Sequence, residues 1–154
     1  MDRSVLAPLL LVEDSDEDVE LIEWALKKLA ITIPIVRCAD GEEALDYLYQ
    51  RDRYSDPQKS PIPALILLDL KLVAVDGLEV LQEIKGDETL RMIPVIVWTS
   101  SADEHDIEVS FKQGANSYIL KPMSTQRLLA IVEMLNQYWF GVAMLPENIS
   151  LQSD

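Results

Sequence analysis

The sequence predicts an α/β domain, a parallel sheet with helices on both faces. Apolar runs of strand length alternate along the whole chain with segments whose apolar residues recur at helical spacing. Four of those runs end in Glu13-Asp14, Asp69, Thr99 and Lys121-Pro122. Charged or reactive groups at successive strand ends are expected where one site is assembled at the carboxyl edge of a parallel sheet.

The first strand is Leu9 to Val12. A helix follows with Ser15 as N-cap and Asp18 three residues on, a capping-box spacing, and with Val19, Ile22, Leu26 and Leu29 on one face. Ile33 to Cys38 reads as the second strand. Asp40 opens the second helix, with Glu43 repeating the capping spacing and Ala44, Leu45 and Leu48 facing the core. Arg51 to Pro63 is polar and proline-containing, a long surface loop. The third strand runs from Ala64 to Asp69, and the helix after Asp76-Gly77 aligns Leu78, Leu81 and Ile84. Pro94 introduces a fourth strand, Val95 to Thr99. A weaker helical pattern from Asp103 to Gln113 stops at Gly114, and Ser117 to Leu120 is the fifth strand. The last helix runs from about Thr125 into Tyr138. One domain is expected over residues 1–137, with an aromatic and apolar extension over 138–154.

Composition narrows the function. The chain has 154 residues, 49% of them hydrophobic, enough for a full core without disulfides or metals. Thirteen Lys and Arg against 27 Asp and Glu give a formal net charge of -14, a balance that repels phosphate backbones and argues against nucleic-acid binding. Cys38 is the one cysteine, which fits a reducing cytoplasm. The apolar stretch from Val5 to Val12 is too short to span a bilayer, contains Pro8 and runs into an acidic cluster, so neither a membrane span nor a signal peptide is expected.

Glu13, Asp14 and Asp69 brought into one pocket would repel unless a cation lay between them. Mg²⁺ suits such hard oxygen ligands, and one accessible Asp beside it suits phosphoryl transfer through an aspartyl-phosphate. Lys121 supplies a second positive centre and Thr99 a hydroxyl donor. Taken singly each residue is more often an N-cap, a turn or a solvated loop position. Their order and spacing together carry the inference.

Leu11-Val12-Glu13-Asp14, Leu67-Leu68-Asp69 with Asp76-Gly77, Thr99-Ser100 and Tyr118-Ile119-Leu120-Lys121-Pro122 resemble the receiver domain of bacterial response regulators, over about Leu9 to Gln137. The resemblance implies a five-stranded parallel sheet in order 2-1-3-4-5, the flavodoxin-like receiver fold. It implies Asp69 as the phospho-acceptor for a histidine kinase, Asp14 as a direct Mg²⁺ ligand, Glu13 acting through metal-bound water, and the carbonyl of Lys71 completing the shell. Lys121 is then expected to contact the phosphoryl group, with a cis bond to Pro122, and Thr99 with Tyr118 to form a switch pair. Such a protein catalyses only its own phosphorylation and dephosphorylation.

One position departs from the family: Val73 stands four residues after Asp69, where proline is usual. Lys71 and Ser101 fall where phosphoryl lifetime is tuned in the family. The long loop before the third strand and the tail Tyr138-Trp139-Phe140 are similar to the single-domain regulators partnered with phytochrome kinases, commonly homodimers. With no effector sequence after the last helix, output is expected through protein contacts or a phosphorelay, with Tyr138, Trp139 and Phe140 at an interface. Competing readings are weaker. None of the five glycines begins a P-loop motif, and Lys71 occupies the place where an aspartate-nucleophile phosphatase needs a second acid. A receiver-like module that binds a partner without phosphate would have no need of all five polar groups.

Overall fold

The computed structural model describes residues 7–146, so the start of the apolar stretch at Val5 and residues 147–154 of the expected extension lie outside the described residues. Strands β1 (Leu9–Val12), β2 (Ile35–Cys38), β3 (Leu65–Leu68), β4 (Val95–Thr99) and β5 (Ser117–Leu120) form one parallel sheet in the order β2-β1-β3-β4-β5. Helices α1 (Asp16–Lys28), α2 (Gly41–Leu48), α3 (Gly77–Gly86), α4 (Glu104–Lys112) and α5 (Thr125–Gln137) connect and follow the strands. The order expected from the resemblance is the order observed.

Strand alternation divides the core into two layers. Leu9, Leu11, Leu65, Leu67, Ile96 and Trp98 pack with Val19, Ile22, Ala25 and Leu26 of α1 and with Leu128, Ile131 and Val132 of α5. Leu10, Val12, Ile66, Leu68, Val95 and Val97 point the other way, onto Ala44, Tyr47 and Leu48 of α2 and Val80, Leu81 and Ile84 of α3. Trp98 thus fills a sheet–helix interface, and Cys38 is a buried small hydrophobe, as the sequence suggested.

Boundaries moved where backbone donors decide. The second strand begins at Ile35 and not Ile33, because Pro34 has no N–H and joins the ladder only through its carbonyl, which accepts from Leu9 N at 2.9 Å. The loop over 51–63 is tied down: Tyr47 donates to Pro61 O at 2.7 Å, Gln50 Nε2 donates to Ser60 O at 2.9 Å, and Tyr54 meets Tyr47 edge-on with centroids 5.1 Å apart. After α5 the chain widens into a π-helical turn, Tyr138–Val142. There Trp139 and Phe140 fold back, half-buried against the α1–α5 layer, while Tyr138 stays exposed.

Candidate functional site

Register brings the strand ends together. Val12 pairs with Leu68, so Glu13 and Asp69 leave the sheet side by side, and Asp69 N donates to Val12 O at 3.1 Å. Thr99 pairs with Leu120, and Lys121 N donates to Thr99 O at 2.7 Å. Alternation then sorts the side chains. Carried one residue past each strand, it places Glu13, Asp69 and Lys121 on the face covered by α1 and α5, and Thr99 with Tyr118 on the opposite face.

The charged half is compact. Lys121 Nζ donates to Asp18 Oδ2 at 2.7 Å and to Asp69 Oδ2 at 3.0 Å, and forms an ion pair with Glu13 Oε1 at 2.8 Å that lacks hydrogen-bond alignment. Asp69 and Glu13 are almost wholly enclosed. Burial raises the Glu13 carboxyl to about 7; its contact with Lys121 resists that and the neighbouring Asp69 adds to it. Burial alone would weaken the Lys121 ammonium, but contact with Asp18, Glu13 and Asp69 outweighs it and holds the lysine charged far above neutrality.

Carboxylate oxygens of Glu13, Asp14 and Asp69 lie within 4.8 Å of one another, with Asp14 the partly exposed member. Glu13 Oε1 is buried and leans on the Lys121 ammonium 2.8 Å away, without hydrogen-bond alignment. Hard oxygen donors and net negative charge fit a divalent cation. Lys71 N donates to Asp69 Oδ1 at 3.2 Å, a local turn at the end of β3.

The hydroxyl half lies on the other face. Thr99 is buried, and its Oγ1 accepts from Ser101 N at 3.3 Å, leaving its proton free to donate. Tyr118 is half-buried and donates to Ser101 O at 2.8 Å, so both expected switch residues meet the β4–α4 loop. Ser101 is engaged as well, donating to Asp106 at 2.6 Å. His105 is exposed at the start of α4.

Two expectations need correction. The peptide bond before Pro122 is trans; there is no cis bond among the described residues. Trans is favoured before proline by about 0.5–1 kcal/mol, and Lys121 reaches its carboxylates from the trans backbone. The capping box at α1 is half formed. Ser15 Oγ accepts from Asp18 N at 3.2 Å, but the Asp18 carboxylate turns to Lys121, and Ser15 N donates to Glu13 Oε2 at 3.1 Å. Asp18 is therefore the site residue that sequence reasoning missed. The available signal was its place in the first turn of a helix that opens directly after the acids.

The Response regulator receiver domain family matches residues 9–133. The probable methanogenesis regulatory protein FilR2 of Methanothrix harundinacea is 41% identical over 86% of this chain and 83% of its own. The response regulator Rcp1 of Synechocystis is 38% identical over 90% of this chain and 92% of its own, and its Mn²⁺-bound crystal structure, covering 92% of this chain and 99% of its own, superposes with a TM-score of 0.83. The phosphorylated cyanobacterial phytochrome response regulator RcpA gives a TM-score of 0.85 at 40% identity, covering 93% of this chain and all of its own. With fold, strand order and acidic pocket in agreement, this chain belongs to the response regulator receiver domains of two-component signalling.

Proposed function

We propose that Asp69 accepts a phosphoryl group from the phosphohistidine of a phytochrome-type sensor kinase, and that the chain passes the signal on through protein contacts. The observation that carries this reading is the Lys121 ammonium 3.0 Å from Asp69 Oδ2, at the edge of a cluster of three carboxylates. Likeness to the regulators Rcp1 and RcpA supports the choice of kinase class.

Asp14, Asp69, Glu13 and the Lys71 carbonyl are the groups that would hold Mg²⁺. Bound there, the ion neutralises the carboxylates and the charge on the transferring oxygens. Asp69 is the nucleophile: its carboxylate oxygen forms a bond to phosphorus as the phosphorus–nitrogen bond of phosphohistidine breaks, and the departing imidazole keeps the electron pair and takes up a proton. Lys121 and the free proton of Thr99 donate to the phosphoryl oxygens. Thr99 and Tyr118 read the result, because a Thr99 that turns toward phosphate changes what it offers Ser101 N, in the loop whose carbonyl Tyr118 holds.

The receiver covers residues 1–137, and residues 138–154 extend it. Exposed Leu120, Met123, Met134 and Tyr138 line a groove of about 770 Å³ along β5 and α5, the surface we assign to a homodimer working in the cytoplasm. The test of the kinase class is transfer from a radiolabelled phytochrome-type kinase to the native chain and to Asp69→Asn. Label on the native protein alone supports the proposal, and equal label on both overturns it.

A further inference from the structure

Asp18 lies outside the acid cluster suited to a metal, yet it makes the shortest contact of the Lys121 ammonium, 2.7 Å against 2.8 Å to Glu13 and 3.0 Å to Asp69. Its position is fixed. Ser15 caps the first turn of α1, Ser15 N is tied to Glu13, and Arg37 joins Asp16 at 2.9 Å and the Glu13 carbonyl at 2.9 Å. A carboxylate on so anchored a turn is a rigid support. Both partners are largely shielded, with side-chain exposures of 32% for Asp18 and 16% for Lys121, so the pair is stronger than an exposed one.

A cation entering the acid cluster draws charge from Glu13 and Asp69, the other two anions that hold Lys121. The lysine side chain is long and flexible, and a cleft of about 120 Å³ lined by Asp18, Trp98, Lys121, Met123 and Leu128 opens beside it. Without a third anion the ammonium has room to leave at the moment it is needed. We propose that Asp18 is the positioning residue for Lys121: it retains the ammonium beside Asp69 once the other acids are engaged, so that one N–H stays aimed at the incoming phosphoryl group. This rests on the reading of Asp69 as acceptor.

The test uses the full chain, acetyl phosphate and a Mg²⁺ titration, with thermal melting to show that each variant is folded. Asp18→Ala lowers the labelling rate at saturating Mg²⁺ by about tenfold and moves the half-saturating Mg²⁺ concentration by less than about threefold, because a lost aim affects the reaction step more than metal binding. Asp18→Glu, which keeps the charge, recovers most of the rate. Amine acylation followed by mass spectrometry, with Mg²⁺ present, rises several-fold at Lys121 in Asp18→Ala and stays level at the other lysines. A native labelling rate in Asp18→Ala, or unchanged acylation of Lys121, overturns the proposal. A native protein that takes no label defeats the Asp69 reading instead, and the acylation arm still decides the role of Asp18.

Discussion

Gly77 shows how tightly single residues shape the acceptor loop. A Cβ there would stand 2.2 Å from the Asp69 carbonyl oxygen and 2.5 Å from Leu70 Cα, backbone that cannot yield without moving Asp69. Gly77→Ala therefore destabilises by about 3 kcal/mol or more, whereas Gly86→Ala, with nothing within 4 Å, is neutral or stabilises by up to about 1 kcal/mol. Urea unfolding of the two variants separates them. Glu13 supplies a pH signature. Its carboxyl is raised to about 7 from 4.5, so between those values the folded chain keeps a proton that the unfolded chain has released. Stability in chelator therefore falls as pH rises across that window, and Glu13→Gln flattens the slope in unfolding curves taken at several pH values. Glu13, Asp14, Asp69, Thr99 and Lys121 were legible because each ends an apolar run. Asp18 was not, because a capping-box spacing already explained it and its partner lies 103 residues away.

Among the elements, those with clear periodicity were read correctly and those fixed by tertiary context were not. Both apolar layers follow from alternation along the strands and from the stripes on α1, α2 and α3. The weak pattern of α4 has a physical origin, since Ser110 is its one buried residue and Phe111 is exposed. The π-helical turn after α5 left no periodic trace; it forms where Trp139 and Phe140 reach back to the core. In the loop after β3, Val73 is exposed and Ala74 adopts φ 69°, a left-handed conformation that costs a side chain energy. Ala74→Gly relieves that strain and raises stability by up to about 1 kcal/mol, measured as a shift in urea midpoint.

For the whole molecule, the tail separates stability from association. Phe140 leans on its own domain, whereas half-buried Trp139 also lines the groove with Tyr138, Met134, Met123 and Leu120, so we centre the proposed dimer face on that groove. Met134→Glu combined with Tyr138→Glu puts like charges on the proposed dimer face while leaving the core intact. In sedimentation at micromolar concentration the native chain is a dimer and the double variant a monomer that still unfolds cooperatively; a native monomer, with or without phosphorylation, overturns the dimer.

We propose the acid pocket at the carboxyl edge of the sheet as a metal-dependent phosphate acceptor. Its most direct test is intact-mass measurement of the native chain after incubation with acetyl phosphate, with Mg²⁺ or with chelator, beside Asp69→Asn. One phosphoryl group is expected on the native chain only with Mg²⁺, and none on Asp69→Asn. Addition without metal, addition to the Asn variant, or none to the native chain from acetyl phosphate or from its kinase would contradict it.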